Sequence, residues 1–363
     1  NELLKIPELK AQDSLKEQAG YIISCHDALA RKLISAEKFE DAEKVLGTAN
    51  TRYNELLKIP ELKDQDNLKE QAGYIIGCHN ALAQKLITAE KFEDAERVLD
   101  AAYTRYNELL KIHELKDQDK LKEQAGYIMG CHNALAQKLI TAEKFEDAER
   151  VLDTAYSRYN ELLEIPELKD QDKLKYQASG LITRHVDLAT TYLRKHDKVR
   201  ANFTLNRAYV RYITLLSEEP LSDVRYFAEA PSRMVRTYGQ LIQAYDSRVD
   251  LADLRHDFSN HIMQSPHDMV GLAIMAMICV KTNDNERFNI ADRMRKMLTE
   301  VERQEDKQRD YATSFINEVD RILAEIGDES ESGQEESSSG HVEKRNFKKK
   351  FLIKTDLLKE ALR

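Results

Sequence analysis

The chain has 363 residues, 42% of them apolar and 33% charged, and it carries a formal net charge of −9. The negative charge excludes a body that wraps nucleic acid, because such a body needs an excess of basic side chains to neutralise phosphates. No apolar run reaches the roughly 18 residues that a membrane span needs, and the small numbers of glycines and prolines, 12 and 6, favour long helices joined by few turns.

The sequence is organised around a 53-residue stretch, Asn54–Tyr106, that recurs nearly unchanged on either side. A fixed period in this size range predicts an array of helical hairpins in which each unit contacts its neighbours. The predicted copies cover residues 1–53, 54–106, 107–159 and 160–212, with a degenerate fifth copy at 213–265. Copies two and three differ at five positions, which indicates recent duplication.

Each copy is predicted to form two helices. In copy two the first helix begins after Asp66, a good N-cap residue, and Glu70 lies in the first turn, where the helix dipole favours an anion. The break between the two helices falls at Glu90–Lys91. The buried stripe of the first helix has spacings of three and four and consists of Leu68, Ala72, Ile75, Ile76, His79, Leu82, Ala83 and Leu86.

The second helix has its own apolar stripe and continues into the next copy as far as Leu110. Pro60 and its counterparts Pro7 and Pro166 stop this helix, because proline cannot donate the next backbone hydrogen bond. His113 replaces the proline in copy three, so the end of the helix is expected to be softer there. The stripe consists of Phe92, Ala95, Val98, Leu99, Ala102, Tyr103 and Tyr106.

Seven positions of this hairpin carry the large and small residues of a tetratricopeptide repeat at the same intervals: Leu82, Ala83, Leu86, Phe92, Ala95, Leu99 and Ala102. The sequence therefore resembles that family. The period of 53 residues in place of 34, and His79 at the usual tryptophan position, place it among the long-helix relatives. The resemblance implies an all-α, right-handed solenoid of antiparallel helix hairpins.

In the family that the chain resembles, the first helices of successive repeats line a concave groove. The resemblance implies a partner-binding groove, whose side-chain amides bond a peptide backbone as donors and acceptors. The alternative is that these residues are merely solvated. Few of them are basic, so a clamp on a terminal carboxylate is not expected. The predicted partner-binding residues are Asp27, Arg31, Asn80, Gln84, Thr88, Asn133, Gln137 and Thr141, and the exposed groove also includes Ser24, Ile34, Ser35, Gly77, Ile87, Gly130 and Ile140.

Residues 266–327 are predicted to form a terminal hairpin and a C-terminal capping helix. The first helix of the hairpin, MVGLAIMAMICVKT, is apolar nearly all round and is expected to be deeply buried. The capping helix has one apolar and one strongly charged face, as the end of an open array requires. Residues 328–340 are acidic and rich in serine, and they are predicted to be a disordered linker.

Residues 341–363 are predicted to form a basic, amphipathic tail helix. This segment has eight basic and three acidic residues, a net charge of +5, whereas residues 1–327 carry −9. Three interpretations stay open. The tail docks on the acidic body, it binds a separate partner or an anionic membrane, or its KRNFKKK run is a nuclear import signal.

Three cysteines, Cys25, Cys78 and Cys131, hold the same place in successive copies, and each precedes a histidine. Equivalent positions on stacked helices lie about 10 Å apart, whereas a disulfide needs Cα atoms within about 7 Å. The thiols are therefore expected to be reduced, in an intracellular and cytoplasmic protein. A Cys-His catalytic pair is the alternative to packing, but neighbours on a helix point about 100° apart, and cysteine is commonly buried as a small hydrophobe.

A second cluster, His256, His261 and His267 with Asp257 and Asp268, has no spacing that places two histidines on one helix face, and no metal or cofactor is expected. The sequence has no phosphate-binding glycine loop and no nucleophile elbow. We therefore expect a non-enzymatic adaptor or scaffold that binds a protein or peptide partner along the groove. The alternatives are a structural spacer whose repeat number sets its length and a Cys-His enzyme. The sequence leaves the oligomeric state open.

Overall fold

The computed structural model describes residues 13–63, 65–218, 227, 229–245, 248–264, 268–302 and 309–327. These residues form helices and connecting turns without any strand, so the all-α prediction is confirmed for this part of the chain. The chain divides into two compact units, Asn1–Leu181 and Ile182–Arg363. The predicted linker at 328–340 and the predicted tail helix at 341–363 lie outside the described residues.

The first unit contains three hairpins whose long helices have the same lengths, 23 and 19 residues, in each copy. They are α1 (Asp13–Ser35) and α2 (Phe39–Leu57), followed by the single turn α3 (Pro60–Lys63), then α4 (Asp66–Thr88), α5 (Phe92–Leu110), α6 (Asp119–Thr141) and α7 (Phe145–Leu163). A 3-10 turn at Pro166–Leu168 and the single turn α8 (Asp172–Lys175) open copy four, and α9 (Gln177–Arg194) contains the boundary of the unit.

The first helix of copy two begins one residue earlier than the sequence predicts. Gln65 is the N-cap residue, with extended backbone and no capping side-chain hydrogen bond, so the prediction that Asp66 is the cap is wrong. Asp66 is instead the first helical residue, where its charge still interacts favourably with the positive end of the helix dipole. The predicted stripe is buried, from Leu68 to Leu86.

A left-handed residue ends the first helix of each hairpin. In copy two Glu90 has a φ of 58°, its N–H donates to the Ile87 carbonyl, and the N–H of Lys91 donates to the Leu86 carbonyl at 2.9 Å. This pair of bonds is the Schellman arrangement, which satisfies carbonyls that the helix end leaves unpaired. Glu37 and Glu143 have the same backbone conformation in the other copies. The sharp turn that results lets the second helix fold back antiparallel.

The second helices end at the same position in all three copies, so the prediction of a softer end beside His113 is wrong. In copies one and two the backbone N–H groups of Ile59 and Ile112 each donate to the carbonyl three residues earlier, at 3.0 Å. This tightened last turn is present with or without the proline. What the proline changes is the next turn, because Pro60 begins the short helix α3 and His113 lies in turns without a helix.

Successive hairpins pack side by side in chain order. Helix α4 contacts both helices of copy one, and α6 contacts both helices of copy two. The approach is close at Gly73, where an added Cβ atom would lie 2.8 Å from the backbone carbonyl carbon of Lys120. The small residues Ala83, Ala95 and Ala102 are fully buried, as the family resemblance implies. Small side chains therefore set the distance between hairpins.

The second unit continues with helices whose lengths are less regular. They are the rest of α9, then α10 (Lys198–Ser217), α11 (Ala230–Ala244), α12 (Arg248–Gln264), α13 (Met269–Thr282), α14 (Glu286–Glu302) and α15 (Arg309–Ile326). Helix α13 is buried along most of its length, which confirms the prediction for MVGLAIMAMICVKT. Helix α15 packs one apolar face on α11, α13 and α14.

Candidate functional site

A cavity of about 510 Å³ lies on the first helices of copies two and three. Three of the predicted partner-binding residues line it, namely Arg31, Asn80 and Gln84. The other lining residues include Tyr74, Tyr127, Lys120, Glu123 and Gln124. The cavity therefore joins some of the predicted groove residues with an aromatic and charged edge that lies outside the predicted set.

Asn80 and Asn133 are buried, with 6% and 7% of their surface exposed, so the prediction that they are exposed groove residues is wrong. The Nδ2 atom of Asn80 donates to Oε1 of Gln124 at 3.1 Å, and that of Asn133 donates to Oε1 of Gln177 at 3.0 Å. The first helices approach so closely that each amide bonds the next copy. Ile34, Ile87 and Ile140, also predicted to be exposed, are buried as well.

Asp27 and Arg31 form a charged pair on the first helix of copy one. Nε of Arg31 donates to Oδ2 of Asp27 at 2.9 Å, and this hydrogen bond raises the pKa of the Arg31 guanidinium. The other carboxylate oxygen, Oδ1, accepts the thiol of Cys78 at 2.5 Å. Both carboxylate oxygens of Asp27 are therefore hydrogen-bonded, one of them across the contact between copies. Arg31 is half-exposed and is the member of the pair that lines the cavity.

The remaining predicted residues lie toward the ends of the first helices. Thr88 and Thr141 are exposed and donate to backbone carbonyls of their own helices, those of Gln84 and Gln137, at 2.8 and 2.9 Å. Gln84 is exposed and Gln137 is half-buried. Of these four residues, Gln84 lines the cavity described above. The structure thus brings together a subset of the predicted groove.

A row of exposed tyrosines runs along the first helices at the 53-residue period: Tyr21, Tyr74 and Tyr127, which we call the tyrosine ladder. The ammonium group of Lys120 lies 4.6 Å from the centre of the Tyr74 ring, and it also donates to the Tyr74 hydroxyl at 2.7 Å and to a Glu70 carboxylate oxygen at 2.8 Å. These contacts restrict the ring, 36% of which is still exposed.

The same arrangement recurs one copy later. Lys173 lies 4.8 Å from the centre of the Tyr127 ring and donates to its hydroxyl at 3.1 Å and to Glu123 at 2.7 Å. The sequence carried a signal for the ladder, because a tyrosine falls at the same position in three copies and a lysine follows 46 residues later in two of them. Neither the tyrosines nor the lysines belong to the apolar stripes, and neither were among the predicted partner-binding residues.

Two histidines of the Cys-His pairs, His26 and His132, link the two helices of their hairpins. His132 donates from Nδ1 to the Ile128 carbonyl at 2.9 Å, so Nε2 is left to accept a hydrogen bond from Arg158, also at 2.9 Å. Burial lowers the pKa of His132 to about 4. His26 has the corresponding two partners, Ile22 and Arg52. At His132 the geometry and the lowered pKa fit a neutral imidazole that acts as a structural bridge.

The thiols face a neighbouring copy. Cys131 donates to the backbone carbonyl of Asn80 at 3.6 Å, and burial raises the pKa of this thiol to about 12. Burial and the bond to Asp27 raise the pKa of Cys78 as well. A nucleophilic cysteine needs a lowered pKa. The geometry and the protonation state of both thiols therefore fit packing between copies.

Within the described ranges, no three His, Cys, Asp or Glu side chains are placed to hold a metal ion, and His267 of the predicted cluster lies outside these ranges. His256 and His261 lie on α12. The helices that the structure describes include none with both the length and the apolar character needed to cross a bilayer.

No family model matches the sequence, and no curated protein is similar to it. Among solved structures, the chain is similar to the crystal structure of BtubC (BKLC) from P. vanneervenii, with 14% identity over 86% of this chain and 96% of that chain. The TM-score is 0.28, a value at which the likeness supports no inference about fold or function.

Proposed function

We propose that this chain is a non-enzymatic adaptor: a tetratricopeptide-like solenoid whose first helices bind an extended segment of a partner protein. The observation that carries the proposal is the tyrosine ladder beside the cavity. Tyr74 and Tyr127 are 36% and 48% exposed, and both line the cavity. Restricted aromatic rings at the edge of a concave surface are the usual anchors of protein interfaces, because they offer a large contact area at a small entropic cost.

The chemistry of the cavity favours a segment with mixed side chains. The two tyrosine rings offer apolar surface to an aliphatic or aromatic side chain of the partner. Gln84 supplies an amide that both donates and accepts, and Arg31 supplies a cation for a carbonyl or a carboxylate. Lys120 and Lys173 are already paired with Glu70 and Glu123. The ladder is therefore close to electrically neutral, and a highly charged ligand is not favoured.

The test compares the wild-type chain with Tyr74→Ala/Tyr127→Ala. Proteins captured by the wild type are identified by mass spectrometry, and affinity is then measured with the purified partner. Loss of an aromatic anchor typically costs about 2 kcal/mol or more, so we expect at least a tenfold weaker complex. Phe203→Ala is the matched control, because Phe203 is 60% exposed on the second helix α10. Equal affinity of the double variant and the control would refute the groove.

A structural spacer is the second candidate, and one observation favours it. Contacts between copies recur with the period of the sequence: Arg97 bonds Glu43, and Arg150 bonds Glu96. Asn80 and Asn133 also serve contacts between copies. The two variants together discriminate, because a spacer tolerates Tyr74→Ala/Tyr127→Ala but loses its function on in-frame removal of residues 54–106, whereas the adaptor loses its function in both.

A further inference from the structure

One face of copy one differs from the same face of copies two and three. On α1, Ile22 is 39% exposed and Leu29 is 48% exposed, whereas their counterparts Ile75 and Leu82 in copy two are each 1% exposed. Cys25 is exposed, whereas Cys78 and Cys131 are buried. Ile22, Cys25 and Leu29 are spaced by three and four residues, so they share one side of the helix. We call this surface the end face.

The other copies show what covers this face. Helix α4, which carries Ile75, Cys78 and Leu82, contacts both α1 and α2 of the preceding copy. The Cys78 thiol bonds Asp27 of that copy, and the Ser24 hydroxyl donates to Gln71 at 3.2 Å. Helix α6 is covered by copy two in the same way, with Cys131 against the Asn80 carbonyl. In both cases the cover is the hairpin of a neighbouring copy.

We propose that the end face is a docking surface for another helical hairpin of the same 53-residue type, seated in the register that copy one takes on copy two. The apolar residues of the face match those that are buried in copies two and three, so burying them supplies the same driving force. Gly20 has the role of Gly73 in the contact with the following copy, with Asn67 as its neighbour. Copy one thus carries the contact residues of copies two and three, and on its first helix Ile22, Cys25 and Leu29 are exposed.

The test places the copy-two sequence, with its cysteine changed to serine, in frame before Asn1 of the full chain. Alkylation of each native thiol is then followed by peptide mapping. We expect the rate for Cys25 to fall from that of an exposed thiol to the rate of Cys78 in the same molecule, because a buried thiol reacts only after local opening. A rate for Cys25 that is unchanged by the extension would overturn the proposal.

Two controls separate the specific contact from a general effect of the extension. The first changes the glycine of the added copy that corresponds to Gly73 to leucine. At Gly73 itself an added Cβ would lie 2.8 Å from the backbone of Lys120, so this change should block docking and restore the reactivity of Cys25. Protection that persists would show that the register is different and the proposal wrong.

The second control is Leu29→Gln in the original and in the extended chain. We expect little change in the midpoint of thermal unfolding of the original chain, where the side chain is half-exposed, and a clear decrease in the extended chain. An equal decrease of the unfolding midpoint in the original and the extended chain would overturn the proposal. Alkylation of the original chain is also followed at rising protein concentration. Protection of Cys25 that grows with concentration would show that self-association of whole chains covers the end face, and it would overturn the proposal.

Discussion

Single glycines set how closely the hairpins of the first unit approach. Gly73 lies beside the backbone of Lys120, and Gly126 lies beside the backbone of Lys173, each at 2.8 Å from the position of an added Cβ. A backbone atom cannot turn away as the end of a side chain can. We expect Gly73→Ala to lower the free energy of unfolding by about 1–3 kcal/mol through overpacking, measured by urea denaturation.

Gly47 provides the matched control for this prediction. It also lies inside a helix, but an added Cβ there would meet nothing within 4 Å. Replacing it with alanine removes the entropic cost of glycine in a helix and should stabilise the chain by up to about 1 kcal/mol. If Gly73→Ala also stabilised the chain, the close contact with Lys120 would be contradicted.

The carboxyl group of Asp268 in the second unit is fully buried, where its Oδ2 accepts the hydroxyl of Tyr209. Burial raises the pKa of Asp268 to about 6. An aspartate whose pKa is raised on folding contributes stability at a pH below its unfolded value of about 3.9 and loses it as the pH rises through its folded value. Stability is therefore expected to fall between about pH 4 and pH 6.5, by up to roughly 3 kcal/mol from this group.

Asp268→Asn isolates that contribution, because asparagine keeps the shape of the side chain and does not ionise. The measured quantity is the difference in unfolding free energy between the wild type and the variant across this pH range. The neighbouring ring of His261, which lies 5.1 Å from that of Tyr209, is present in both proteins, so it cancels in the difference. A difference that does not change with pH would show that Asp268 is not protonated in the folded chain.

At the scale of the helix, the turn between the two helices of a hairpin carries a local cost. Glu90 has left-handed backbone, with a φ of 58°, a conformation that costs residues with a Cβ atom roughly 1–2 kcal/mol. Glycine has no such cost and is the usual residue at this position of a Schellman turn. We expect Glu90→Gly to stabilise the chain by about 0.5–1 kcal/mol, after the entropy that glycine adds to the unfolded chain.

Ala101 serves as the control for this substitution, because it is exposed within α5 and has helical backbone. The same change to glycine should destabilise the chain there by about 1 kcal/mol. Urea denaturation measures the change in unfolding free energy for both glycine variants. Changes of opposite sign would identify backbone conformation as the cause. A loss of stability in both would mean that the Glu90 side chain contributes more than its backbone strain costs.

For the molecule as a whole, the period and the apolar stripes of the sequence predicted the long helices of the first unit and the residues that they bury. They could not predict the fate of polar residues at the edge of a stripe. Asn80 is a polar residue that the sequence alone would place in solvent, and its burial depends on Gln124 of the next hairpin. Likewise Gly73 and Gly77 look equivalent in sequence, yet an added Cβ would meet a neighbour at 2.8 Å at the first and 3.5 Å at the second.

The same dependence on neighbouring copies predicts that a copy can be removed without unfolding the rest of the first unit. Copy three presents to copy two the residues that copy two presents to copy one, with Cys131 in place of Cys78 and Arg150 in place of Arg97. In-frame removal of residues 54–106 should therefore leave a folded, helical chain whose urea m-value is lower, because less surface is exposed on unfolding. Removing α5 alone, residues 92–110, should instead unfold the region, since it leaves the apolar faces of α4 and α6 uncovered. Circular dichroism measures both, and loss of helicity in the first deletion would contradict the equivalence of the copies.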